Sequence, residues 1–177
     1  KQLMSDEPLL APVETTDPRM IDQICRFRVR VWTATGGLAA DAFPGGIWRD
    51  EFDDTCRHVV VQQGERILAA ARWSLHDSLA DLPEAEQYQR FHLQLEGPIG
   101  VVERVVVCPT VPHLGLSQML LDAVVAKIRA AGARFVLGQA SPNMVRLLRR
   151  RGREILGPAA PDPRFPDVEF QIVLTRL

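Results

Sequence analysis

Glu103 stands inside the apolar run Val101-Val102-Glu103-Arg104-Val105-Val106-Val107, and an acidic stretch, Asp50-Glu51-Phe52-Asp53-Asp54, follows Trp48-Arg49 earlier in the chain. A carboxylate among valines is costly to bury unless it is paired. Two readings stay open. Glu103 is either a general base, its proton affinity raised by burial, or one half of an ion pair with an arginine. The chemistry asking for a base is amine attack: at neutral pH an ammonium has no free lone pair, and a positioned carboxylate can take its proton. Strand alternation puts Glu103 on the face of Val101, Val105 and Val107, and Arg104 with Val102, Val106 and Cys108. The acidic stretch beside Trp48 can hold a cationic acceptor or be solvated loop charge.

The valine run leads through Cys108-Pro109 into a loop and then a helix. At such a junction the backbone N–H groups of His113, Leu114, Gly115, Leu116 and Ser117 are unpaired and sit at the positive end of the helix dipole, which suits a phosphate. Gly115 has no Cβ to hold a ligand away, although it also simply permits a tight turn, and Pro112 removes one donor. The glycine-rich dinucleotide and P-loop patterns are absent. Cys56 with His58, and Cys108 with His113, lack the second ligand pair of a zinc site, so no metal is expected. The arginines 146, 149, 150, 151 and 153 form a basic run with no interleaved aromatic, and cations at a helix C-terminus are favourable in themselves. Nucleic acid is not an expected partner.

The elements that must position these groups are legible from periodicity. Asp17-Pro18 opens a helix running through Ile21, Ile24 and Val31 to about Trp32. Residues 57–62 and 66–75 read as a hairpin about Gln63-Gly64-Glu65. An insertion, 76–99, carries Asp81-Leu82-Pro83-Glu84, a capping-box pattern before a short helix ending near Phe91. A strand over 100–108 precedes a helix with Leu116, Met119, Leu120, Ala123, Val124 and Ile128 on one face, stopped by Gly132. Then come a strand at 135–137, a helix at 142–151, a proline-rich loop at 158–166, and a last strand in which Val168, Phe170, Ile172 and Leu174 alternate. The class is mixed α/β.

With 177 residues, 21 basic against 22 acidic side chains and 46% apolar residues, the chain reads as one domain spanning 1–177, with no field drawing it to nucleic acid or an anionic membrane. Three unpaired cysteines suit a reducing, cytoplasmic setting. Neither a membrane span nor a signal peptide is expected.

Val107-Cys108-Pro109, Leu114-Gly115-Leu116-Ser117 and Leu120-Leu121 together resemble the acyl-CoA-binding core of the GNAT superfamily of N-acetyltransferases, roughly V-x-P-x-x-R/Q-G-x-G-x-G/A-x-x-L-L. Of its glycines only Gly115 remains; Pro112, His113 and Ser117 occupy the other marked positions. The resemblance implies a mostly antiparallel sheet flanked by helices, with Val105, Val106 and Val107 along the pantetheine arm of acetyl-CoA or coenzyme A. Residues 113–117 would hold its pyrophosphate, and Glu103 would act as base toward a small-molecule or peptide amine. The family's usual acid, a tyrosine on the later helix, is replaced by Leu147-Leu148; the sole tyrosine, Tyr88, lies in the insertion, leaving Cys108, His113 or water as substitutes. Arg28, Trp48, Asp50, Asp53, Arg72 and Glu103 are also similar in layout to acyl-homoserine-lactone and N-acyl amino acid synthases of the same fold. Those would be substrate-binding positions with longer acyl donors. A non-catalytic acyl-CoA-binding module and a homodimer are left open.

Overall fold

The computed structural model describes residues 10–111 and 115–177. Seven strands form one sheet in the order β1-β2-β3-β4-β5-β7-β6: β1 Val13–Thr15, β2 Arg57–Gln63, β3 Arg66–His76, β4 Ile99–Val107, β5 Phe135–Ala140, β6 Glu154–Pro158 and β7 Gln171–Arg176. Only β4 and β5 run parallel; the other neighbours are antiparallel. Helices cover both faces, so the fold class is the one expected from sequence.

Helix α1, Pro18–Ala34, starts as its sequence demands: Asp17 accepts the Arg19 N–H at 2.9 Å, and Pro18 occupies a position that needs no donor. It presses Ile24, Phe27 and Val31 onto Val60, Ala70 and Val106. On the opposite face α3, Leu116–Ala130, buries Leu116, Leu120, Val124 and Ile128 against Val59, Ala69, Ala71 and Val102. Each such side chain contributes about 1.5–3 kcal/mol. Helix α4, Pro142–Arg150, packs Val145 on Ala140 and Val173. The insertion continues the α1 side, where α2, Ala85–Gln89, sets Tyr88 among Ile99, Val101, Leu137 and Ile172. Among the described residues no helix is long and apolar enough to cross a membrane.

Four details differ from the sequence reading. Asp81 and Glu84 form no capping box; Glu84 takes a left-handed conformation, φ 53°, and its carboxylate turns to Arg104 and Gln139 instead. Strand β6 lies where Gly157 and Pro158 hide a strand pattern, and β7 begins only at Gln171, leaving Val168 and Phe170 before it. The alternation along β4 also breaks. Ala70 pairs with Val106 and Arg72 with Glu103, so β4 carries one residue more than β3 between those pairs, a bulge in which Arg104 has φ 55°. Glu103 therefore shares the α1 face with Val101 and Val106, while Val105 and Val107 pack toward α3.

The bulge has a second effect. Pairing between β4 and β5 runs from Ile99↔Phe135 to Val102↔Gly138 and stops there. At that last pair the strands lie so close that a Cβ on Gly138 would sit 2.9 Å from the Val102 carbonyl oxygen. Beyond it they separate, and residues 103–107 have no partner on that side.

Candidate active site

A buried ion network lies where the strands part. Arg28 of α1 holds Asp53 with two bonds, 2.9 and 3.1 Å, and donates to the Trp48 carbonyl at 3.0 Å. Arg72 of β3 contacts Asp50 at 2.5 and 3.0 Å, Asp53 at 3.0 Å and Glu103 Oε2 at 2.8 and 3.1 Å. Arg104 reaches Asp50 at 3.0 Å, Glu84 at 3.4 Å, and lies 4.4 Å from the Trp48 ring centroid. The Glu51–Asp54 turn that presents the carboxylates is closed by its own ends: Asp50 accepts from the Phe52 N–H, and Asp53 from the Asp50 N–H.

Arg28, Asp53 and Arg72 are fully buried, with Asp53 paired to both arginines and Arg28 Nε left without a partner, whereas Asp50 and Glu84 remain partly exposed. Burial pushes the carboxyls of Asp50 and Asp53 up, but the arginine bonds and charges outweigh it, so both lie below the usual carboxylate range. Glu103 goes the other way. Burial raises it more than Arg72 and Arg104 lower it, because only Oε2 is paired; Oε1 is buried without a partner. His58, whose Nε2 lies 2.9 Å from the Asp53 carbonyl, is held neutral by burial.

The separation of β4 from β5 opens a cleft of about 140 Å³ flanked by Val102, Arg104 and Val105 on one strand and Gly138 and Gln139 on the other. Trp32, Trp48, Phe165 and Phe170 wall one end, packed edge to face or tilted at 4.7–5.9 Å, with Arg164 5.2 Å from the Trp48 centroid. A neighbouring cleft of about 410 Å³ is lined by Val105, Val106, Val107, Ser117, Ser141 and Asn143. Gly115 caps α3 with φ 62° and open space where a Cβ would project. Leu116 turns its side chain into the core, so it can offer a ligand only its backbone N–H. His113 and Leu114 lie outside the described residues.

Arg28, Trp48, Asp50, Asp53, Arg72 and Glu103, dispersed in sequence, thus meet in one place. Sequence reasoning missed Arg104, Glu84, Gln139 and Tyr88, which the bulge, the insertion and β5 bring to the same spot. Arg104 was detectable only as the immediate neighbour of Glu103. Cys108 faces Arg66 and Thr110 instead, at 3.4 and 3.2 Å, just past the end of β4 and away from Glu103.

This seven-stranded, mostly antiparallel sheet with its helices superposes on solved acyltransferases. This is the GNAT fold. A GNAT-family protein from Desulfovibrio desulfuricans superposes over 95% of this chain and 99% of its own, TM-score 0.62, at 15% identity. A mosquito arylalkylamine N-acetyltransferase-like protein covers 94% and 100%, TM-score 0.66, at 14%. FeeM, an N-acyl amino acid synthase from uncultured soil microbes, covers 95% and 92%, TM-score 0.65, also at 14%. No family model and no curated protein matches the sequence itself.

Proposed function

We propose that the chain is an acyl-CoA-dependent N-acyltransferase in which Glu103 takes the proton of the acceptor amine. One observation carries the reading: a carboxylate of raised proton affinity, half of it unpaired, sits on the bulged strand between Val102 and Arg104, two residues that line the cleft where the sheet opens. The cleft fits a pantetheine arm, because the free edge at 103–107 can pair with an extended amide chain as an added strand would. Val105, Val106, Val107 and Ser117 would hold it, and the backbone N–H groups at the start of α3, with Gly115 leaving room, would hold its phosphates. Bound there, the thioester supplies an activated acyl carbon. Trp48 and Asp50 would face the acceptor, while Arg28, Asp53 and Arg72 keep Glu103 and Asp50 in place. Acetyl is the donor group that the GNAT resemblance favours.

The deciding experiment measures thiol release from acyl-CoA with a panel of amines. Glu103→Gln should lower transfer by about 10²-fold or more at neutral pH with CoA binding little changed, and the gap should narrow as pH rises and more acceptor arrives neutral. A variant that melts earlier yet keeps full turnover per folded molecule sinks the assignment.

A second reading, a longer acyl donor as in N-acyl amino acid synthases, is favoured by the α3 and α4 side of the 140 Å³ cleft, where Val102, Leu121, Val125, Met144 and Leu148 make an apolar wall. Dry cavities of about 150 Å³ hold six-carbon apolar guests. Thermal shifts with acetyl-CoA, hexanoyl-CoA and free CoA separate the two, the fitting donor giving the larger shift.

A further inference from the structure

The cleft where β4 and β5 part has two ends of different character. Toward α1 it meets charge and aromatic rings, with Glu84, Arg104 and Asp162 beside Trp48 and Phe165. Toward α3 and α4 its walls are apolar. Leu121 and Val125 stand one turn apart on α3, Met144 and Leu148 one turn apart on α4, and all four line the cleft. Val125, Met144 and Leu148 are only half-buried, so part of their apolar surface stays uncovered. These walls end at a pair of charges. Arg151, at i+7 from Met144 and so on the same stripe of the helix that it caps, bonds Asp122 of α3 at 2.9 Å, and both side chains line the cleft. With side chains 25% and 59% exposed, the pair adds little as a tie between helices. Its place at the end of an apolar space gives it a different use.

We propose that Asp122 and Arg151 are the end stop of an acyl-chain channel and set the longest acyl group that the donor can carry. This rests on the longer-donor reading of the cleft. The thioester lies at the split, its alkyl chain passes Val102 and Gly138 into the space between α3 and α4, and the ion pair closes the far end. A space of about 140 Å³ suits a chain of about six carbons. Beyond that length each methylene has two courses. It stays in water, forgoing the roughly fourfold gain in binding that burial of a methylene brings, or it parts two charges that hold each other. Because the pair is exposed and weak, the limit is soft: longer donors are disfavoured in proportion to their length and not excluded outright.

Acyl-CoAs from acetyl to dodecanoyl test this, through the ratio of kcat/KM for dodecanoyl to that for hexanoyl, which a mere loss of folded enzyme does not move. In the parent, hexanoyl should lead. Asp122→Arg sets two cations against each other and should raise the ratio by about tenfold or more, the worth of about two methylenes taken out of water. Arg151→Ala removes the longer arm of the stop and should do the same. Exchanging the charges, Asp122→Arg with Arg151→Asp, rebuilds the pair and should bring the ratio back. Arg150→Ala, exposed one position away and outside this cleft, should leave it unmoved. Raised salt should relax the limit in the parent and not in Arg151→Ala. Where donors bind without turnover, the same ratio is read from dissociation constants. A ratio that the single changes leave unmoved, or that the exchanged pair leaves high, overturns the proposal. So does a parent that accepts acetyl alone, or dodecanoyl as readily as hexanoyl. If no acyl-CoA is turned over or bound, the acyltransferase reading falls as well; if acetyl transfer is sound and only the length profile fails, that reading stands and this inference alone falls. Should Arg151→Ala not fold, Asp122→Arg and the exchanged pair decide.

Discussion

Arg72 touches three carboxylates at once and exposes none of itself. Its removal strips Glu103 of its bonded counterion and leaves Asp53 to Arg28 and Asp50 to Arg104 alone, so Arg72→Met should cost about 3–5 kcal/mol, read as a fall in the denaturant midpoint. Arg28→Met and Asp53→Asn should each cost a comparable amount. In a double-mutant cycle their effects should be strongly non-additive, since either change alone strands the other partner. Gly115 answers to a different cause. Its left-handed φ penalises most side chains, but asparagine and aspartate tolerate that region. Gly115→Asn should keep CoA binding within a few-fold, and Gly115→Asp, which adds a negative charge at the proposed phosphate site, should lose it by about tenfold or more. Equal binding by both variants would place the phosphates elsewhere. The residue types at the site were readable in the sequence because charges inside apolar runs are conspicuous. Their partners were not, because Arg28 and Asp53 meet only after a helix and a turn fold against each other.

At the scale of elements, periodicity located α1, α3 and the β2–β3 hairpin, whose apolar spacing is uninterrupted. It failed at the two irregular places that shape the site. A bulge leaves no mark in a run of valines, so alternation assigned Glu103 to the wrong neighbours beyond Arg104. The left-handed Glu84 looked like the second half of a capping box because its type and spacing match one, although its carboxylate is drawn off by Arg104 and Gln139. Both residues hold unfavourable backbone angles at about 1–3 kcal/mol each, offset by ion pairs within the site. Gly138 fixes where the strands begin to part. Gly138→Ala should push against the Val102 carbonyl, destabilise by about 1–3 kcal/mol, and weaken donor binding together with stability in a thermal-shift titration.

Over the whole molecule, the carboxylates act on pH stability in opposite senses. Asp50 and Asp53 titrate below their ordinary value in the fold, so the stability they contribute is complete above about pH 4 and is lost as pH falls through their lowered values. Glu103 titrates above its ordinary value; its contribution is complete below about pH 4 and is lost as pH rises through the raised value. Urea unfolding followed across pH should therefore steepen in acid, and Asp53→Asn should flatten the acid limb. Glu103→Gln should remove only the decline between about pH 4 and that raised value.

The early end of the β4–β5 ladder has one more consequence. An ordinary open sheet has two edges, but a sheet that parts in its middle has inner ones too, here bordered by Val105, Val106 and Val107. Such strands invite association with other chains, and proteins usually cover or charge them. A bound donor would cover this one. The unliganded protein should then be the more prone to clump on concentration, and light scattering should show the ligand acting as a stopper on a seam that the chain cannot close by itself.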